Sequence, residues 1–270
     1  MTISGQGRAV SEAPSAVPIL PAATILLVRD DPAFEVLMVK RHHQIDFVPG
    51  ALVFPGGKTH AGDHDPLWEQ WAIGWEASAP HKRALRIAAI REAYEETGIL
   101  LGRRPDGAAF AGDDRAARAR PQIESGERSF LDLVREMDVR LDLLALTVFA
   151  RWITPAIVPK RFDTWFYVAV APADQLALCD GRETVDAEWI EPGEALRLGE
   201  LGERKVIFPT RMNLALLAQA TGADDAVNRA RARTLVTVEP KLVESPEGRI
   251  LVIPPDAGYG DVSELLSRAM

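Results

Sequence analysis

The sequence predicts an α+β fold, and three observations carry that prediction. Short β-branched runs and helical-period stretches follow one another without the regular strand–helix alternation of a doubly wound sheet. The chain has 270 residues and no internal repeat, enough for one large domain with elaborations. The stretch R-E-A-Y-E-E-T-G-I, Arg91 to Ile99, ends a helical pattern with an acidic cluster and a stop glycine, Gly98.

The N-terminal residues, up to about position 20, read as a flexible tail without a signal peptide's apolar core. Ala22 to Val28 is a short apolar run with β-branched members, hence a strand. R-D-D-P is a turn, and the alternating Phe34 to Lys40 returns as a hairpin partner. His42 to Asp46 reads as a loop, and Ala51 to Phe54 as a strand running into Pro55-Gly56-Gly57. Lys58 to Pro80 reads as an excursion with its own short helix. Its Trp68, Trp71 and Trp75, at i, i+3 and i+7, would share a face, for burial, a lid or a dimer contact. His81 to Thr97 has helical spacing of Ala84, Leu85, Ala88, Ala93 and Tyr94.

Gly102 to Gly126 reads as a loop or mobile helix, and Ser129 to Met137 as an amphipathic helix with Ser129 as N-cap. Strands follow at Ala145–Trp152, Thr164–Ala171 and around Trp189. Helices open at Pro192 and at Thr210, and Thr234 to Ile253 suggests two strands around S-P-E-G.

Composition excludes several classes. The formal charge is −8 with scattered arginines, which argues against nucleic acid as a partner. No apolar run approaches the roughly 20 residues of a membrane span. The single Cys179 cannot make an internal disulfide or a thiolate zinc cage, so it reads as a packing residue in a reducing cytoplasm. The terminal S-R-A-M is not a peroxisomal address.

Glu92, Glu95 and Glu96 stand at i, i+3 and i+4, so a helix points all three at one place. Either this is a solvated acidic face or it holds something positive. A hard divalent cation with oxygen ligands, Mg²⁺ or Mn²⁺, answers the second reading. Arg91 supplies one counter-charge, and the glycine-rich F-P-G-G-K, Phe54 to Lys58, lies upstream.

These two pieces together resemble the Nudix box, G-x5-E-x7-R-E-U-x-E-E-x-G-U, where U is aliphatic. Gly57, Arg91, Glu92, Glu95, Glu96, Gly98 and Ile99 match it, and Ala93 is smaller than the usual aliphatic residue. Asp63 stands where the first glutamate would be. Arg91 lies 28 residues after Asp63 instead of eight, an excess of 20. The split box is similar to a subgroup of Nudix hydrolases, the peroxisomal coenzyme A diphosphatases and their bacterial relatives. The phrases F-V-P-G-A-L-V-F-P-G-G, R-F-D-T-W-F and F-P-T-R extend the similarity from about Ala22 to Ala218. An arginine-serine-rich coenzyme A signature is not evident before Gly50.

The resemblance implies a mixed β-sheet sandwiched between helices. Residues 21–222 would form the Nudix domain, with 64–82 as an insertion and 223–270 as an extension packed on it. It implies a metal-dependent hydrolase that cuts the diphosphate of a nucleoside diphosphate derivative, with coenzyme A or acyl-coenzyme A as candidate. ADP-ribose, dinucleoside polyphosphates and other sugar nucleotides are the alternatives within the class. A non-catalytic Nudix-fold nucleotide sensor is the alternative outside it, and RNA decapping is disfavoured by the acidic balance. A homodimer is compatible with the sequence, and neither a membrane nor a nucleic-acid partner is expected.

By the same resemblance the Gly57 carbonyl, Glu92, Glu95 and Glu96 would be metal ligands. Asp63 would be a peripheral ligand or a structural residue, and Arg91 would hold the carboxylates. Glu183 is the candidate general base outside the box, against a plain surface glutamate. Lys58 and Arg41 are candidate phosphate contacts, against solvated side chains, and Phe47 is a candidate adenine contact, against a core residue. His42-His43 lack partners for zinc, Arg161, Phe162 and Asp163 read as structural, and Arg211 is a further candidate substrate contact.

Overall fold

The computed structural model describes residues 17–41, 50–177, 184–246 and 248–269. Its first half runs β1 (Ile19–Asp30), β2 (Phe34–Arg41), β3 (Leu52–Val53), β4 (Gly56–Lys58), α1 (Trp68–Trp71), β5 (Ala72–Ile73), α2 (Pro80–Thr97), β6 (Gly102–Arg103), α3 (Asp114–Glu124), α4 (Phe130–Glu136) and β7 (Arg140–Asp142). The second half runs β8 (Thr147–Ile153), β9 (Arg161–Val170), β10 (Thr184–Ile190), α5 (Pro192–Glu200), α6 (Phe208–Leu217), α7 (Ala223–Ala232), β11 (Thr237–Val238), β12 (Lys241–Ser245), β13 (Gly248–Val252), β14 (Ser263–Leu265) and α8 (Leu266–Ala269).

The main sheet has the order β10-β2-β1-β9-β8-β11, with β3 on β2 and β4 on β1. It is mixed: β1 runs parallel to β9 and antiparallel to β2. β1 is apolar along most of its length because both faces are covered. Ala23, Ile25 and Leu27 enter the core beneath α2, while Leu26 and Val28 enter a second core beneath α6 and α7. The sheet is therefore sandwiched between helices, as expected.

α2 forms because alanine, leucine and isoleucine fill its buried side and Pro80 sits at its first turn, where a missing N–H costs nothing. It stops at Gly98, whose φ of 78° is left-handed and whose N–H donates to the Tyr94 carbonyl. The acidic cluster therefore occupies the last two turns, against the sheet.

Several expectations are revised. β1 begins at Ile19 and pairs Ile19 and Leu20 with Arg161 and Phe162, so the sheet takes two residues from the expected tail. The Gly102–Gly126 segment contains a true helix, α3, capped by the Asp113 carboxylate accepting from the Arg115 N–H. Of the three tryptophans only Trp68 and Trp71 lie on the short helix. Trp68 is buried against Phe130, and its indole N–H donates to the Gly62 carbonyl, so packing rather than a lid explains it. The two strands expected around S-P-E-G are present as β12 and β13, and the region adds two short strands, β11 and β14. Among the described residues no helix is long and apolar enough to cross a membrane.

Candidate active site

The hairpin of β1 and β2 pairs only at its closed end, Val28 with Val36 to Asp30 with Phe34. Beyond that the two strands open, and residues 51–58 fill the gap. β3 takes the β2 edge, with Val39 opposite Val53, and β4 takes the β1 edge, with Thr24 opposite Gly56 and Ala23 opposite Gly57. This brings the two glycines against the acidic turns of α2.

Both positions need glycine for a close approach. A Cβ at Gly56 would lie 2.6 Å from the Ala23 carbonyl oxygen, and one at Gly57 would lie 2.5 Å from Glu92 Oε1. The Gly56 N–H donates to Glu96 Oε2 at 3.1 Å. Gly57→Ala is expected to push Glu92 aside, lowering activity with little change in the thermal midpoint. Steady-state kinetics with a circular-dichroism melt checks this; unchanged kcat would remove the close approach from the account.

Arg91 lies at the centre, 3% exposed. Its Nε donates to Asp63 Oδ1 at 2.9 Å and Nη2 to Asp63 Oδ2 at 3.1 Å, a bidentate pair. Nη1 donates to Glu92 Oε1 and to Glu95 Oε2, each at 2.8 Å, and Nη2 also donates to the Lys58 carbonyl. Burial works against this charge, but Glu92, Asp63 and Glu95 overcome it and hold the guanidinium proton more tightly than usual. The guanidinium is thus occupied by groups of its own chain.

Asp63 sits in a 3₁₀ turn, Ala61–His64, with its carboxylate also accepting the His60 N–H at 2.7 Å. The Asp63–Arg91 pair ties the start of the excursion to the helix that follows it. The extra residues therefore leave and return without displacing the box.

Three buried or nearly buried carboxylates, Asp63, Glu92 and Glu95, thus meet the Arg91 guanidinium, and Glu96 beside them accepts the Gly56 N–H. The mismatch shows at Glu95. Burial raises its carboxyl pKa to about 8 against the pull of Arg91, with the Glu92 charge adding to the rise. The linkage sign follows. The folded value lies above the unfolded 4.5, so the proton stabilises the fold below about pH 4.5, and that contribution fades as pH rises towards 8. In EDTA the urea midpoint is expected to fall from pH 5 to pH 8, and to do so less in Glu95→Gln. An equal fall in both proteins would remove Glu95 as the cause.

The donor set fits a hard divalent ion: the carboxylates of Asp63, Glu92, Glu95 and Glu96 gather beside Gly57, where a side chain would collide with Glu92. With Arg91 bridging Glu92 and Glu95, no three His, Cys, Asp or Glu side chains among the described residues converge on a common metal point.

A pocket of about 470 Å³ opens beside Gly56, on the sheet face opposite α2. Phe54, Trp152, Phe162, Phe166 and Phe208 supply its rings, and Pro240 and Leu251 of the C-terminal region complete its wall. The Trp152 indole N–H donates to the Tyr259 hydroxyl, which donates to Asn213 Oδ1, so the C-terminal region also fixes the Trp152 ring.

The other sequence candidates divide. Arg41 lines the pocket, and Lys58 is exposed with its carbonyl on Arg91. Arg161 pairs with Glu239, and Asp163 with Arg151. Arg211 pairs with Glu264 of the C-terminal region. His42, His43, Phe47, Cys179 and Glu183 lie outside the described residues. Sequence reasoning missed the pocket, Lys205 and the Tyr259 link; their residues are scattered along the chain and carry no motif.

A sequence model of the NUDT19 Nudix domain matches residues 72–210, slightly more than half of the chain. The chain belongs to the Nudix family. The match contains α2 with all three Nudix-box glutamates and begins after Gly57. Among curated proteins, the chain is similar to the acyl-coenzyme A diphosphatase NUDT19 of Xenopus laevis, 27% identical over 208 residues, covering 60% of this chain and 54% of that protein. It is 26% identical to the Homo sapiens protein of the same name over 282 residues, covering 88% of this chain and 75% of that one. It thus spans about half the length of the frog protein and three quarters of the human one. Among solved structures, a Nudix hydrolase from Alicyclobacillus acidocaldarius aligns with a TM-score of 0.71 at 26% identity, covering 79% of this chain and 97% of that one.

Proposed function

We propose that this Nudix protein is a divalent-metal-dependent diphosphatase acting on coenzyme A or acyl-coenzyme A. The observation that supports the reading is the carboxylate cluster at the end of α2, where Asp63, Glu92 and Glu95 share the Arg91 guanidinium and Glu96 accepts the Gly56 N–H. The substrate assignment draws on the similarity to proteins named acyl-coenzyme A diphosphatase and on a pocket large enough for a nucleoside.

Glu92, Glu95, Glu96 and the Gly57 carbonyl would hold the ion, Mg²⁺ or Mn²⁺, with Asp63 contributing through Arg91 rather than by direct ligation. When bound, the ion neutralises phosphate oxygens and lowers the pKa of the attacking water. The chain's own groups do the rest. Arg91 holds Asp63, Glu92 and Glu95 in one cluster. The Gly56 N–H fixes Glu96. A carboxylate of the α2 face, or Glu183, accepts the proton of the attacking water. The aromatic pocket holds one half of the substrate beside Gly56, which sets the diphosphate against the carboxylates.

The test is product analysis across coenzyme A, acetyl-coenzyme A, ADP-ribose and a dinucleoside polyphosphate, with Mg²⁺ or Mn²⁺. Preference for the coenzyme A compounds is expected; preference for ADP-ribose would keep the reaction and change the substrate.

A further inference from the structure

The pocket beside Gly56 is apolar over most of its wall, yet among the described residues it holds two cationic side chains, Arg41 and Lys205, and no acidic one. Their placement is a consequence of the sheet. The Arg41 N–H donates to the Ala51 carbonyl at 3.0 Å, and Ala51 bridges in parallel to Lys205, whose carbonyl accepts the Leu52 N–H at 2.8 Å. Arg41, Ala51 and Lys205 therefore form one row across three adjacent chain segments. At about 4.8 Å per strand the two cations are roughly 10 Å apart at the backbone, within reach of one shared anion for side chains of this length.

Among the described residues neither side chain has an ion pair. Arg41 Nε is buried without a hydrogen-bond partner. Burying a guanidinium nitrogen without an acceptor is costly, and a phosphate oxygen removes that cost with a charge-assisted bond. The carboxylate cluster with its ion accounts for the scissile diphosphate, so a second, uncleaved anionic group suits the second set of cations. Next to it stand rigid aromatic faces. Trp152 is held edge-on by Phe208 at 5.8 Å and by Tyr259 at 5.5 Å between ring centroids. Such faces suit stacking by a nucleobase.

We propose that Arg41 and Lys205 form an anion subsite for a phosphate that is not hydrolysed, with the aromatic pocket beside them holding the attached base. In a coenzyme A derivative this phosphate is the 3′-phosphate of the adenosine half, and the base is adenine. The identity of the ligand rests on the diphosphatase reading; the subsite itself rests on the pocket.

The experiment is calorimetric titration of the full chain in EDTA, where no hydrolysis occurs, with coenzyme A and with dephospho-coenzyme A, which differ only in the 3′-phosphate. Coenzyme A is expected to bind about tenfold tighter, and Arg41→Gln and Lys205→Gln are each expected to bring that ratio towards one. Lys205 is exposed, so its variant keeps the test meaningful if the Arg41 variant folds poorly. Equal binding of both compounds by the wild type overturns the subsite. So does an equal loss for both compounds in the variants, which would place the cations on the scissile diphosphate. Hydrolysis assays in Mg²⁺ separate this from the catalytic reading. Preferential binding without cleavage leaves the subsite standing and sinks the enzyme; cleavage without preference does the reverse.

Discussion

Glu96→Gln is expected to reduce kcat on the order of a thousandfold while the protein stays folded. The change removes one negative charge from the α2 face and keeps the size of the side chain. Its Oε1 can still accept the Gly56 N–H, so the local architecture survives. What is lost is a carboxylate for the divalent ion, and the ion supplies several kcal/mol of the stabilisation of the reacting phosphate. At about 1.4 kcal/mol per decade, a loss of this order gives the stated factor. The measurement is kcat at saturating Mg²⁺, with a thermal melt to establish folding. A folded variant with more than a tenth of wild-type kcat would remove Glu96 from the chemistry.

Arg91→Met is expected to have the largest effect on stability, about 3–5 kcal/mol, because it takes from Asp63, Glu92 and Glu95 the guanidinium they share. Methionine fills much of the same volume, so the loss is electrostatic rather than a cavity. Asp63 would lose both of its side-chain bonds to Arg91, and the tie that closes the excursion would go with them. Saturating Mn²⁺ should restore part of the loss, since an ion that binds the folded cluster stabilises it by mass action. Urea denaturation with and without Mn²⁺ measures both effects. A loss below about 1 kcal/mol would mean that the cluster does not depend on Arg91.

How much of this was legible beforehand follows from what is local in sequence. Glu92, Glu95 and Glu96 share a face by helix geometry alone, and Gly98 stops the helix for a reason visible in its residue type. The α+β class and most strands followed from short-range patterns. The opening of the β1–β2 hairpin was not legible, because propensity does not say where a strand changes partner. That opening lets residues 51–58 enter the sheet and sets Gly57 against Glu92. The Asp63–Arg91 pair was hidden by the excess residues between them. The pocket was least legible of all: Thr24, Arg41, Trp152, Lys205, Phe208 and Leu251 meet only in three dimensions. α3 could not be told from a loop because its arginine- and aspartate-rich sequence resembles a solvated segment, while Ala116, Ala119 and Ile123 supply its buried side.

The most direct test of the account is mass spectrometry of coenzyme A incubated with the purified protein and Mg²⁺ or Mn²⁺. The expected result is conversion to 4′-phosphopantetheine and adenosine 3′,5′-bisphosphate, abolished by EDTA and by Glu96→Gln. Intact coenzyme A after prolonged incubation, or cleavage that survives both treatments, would contradict it.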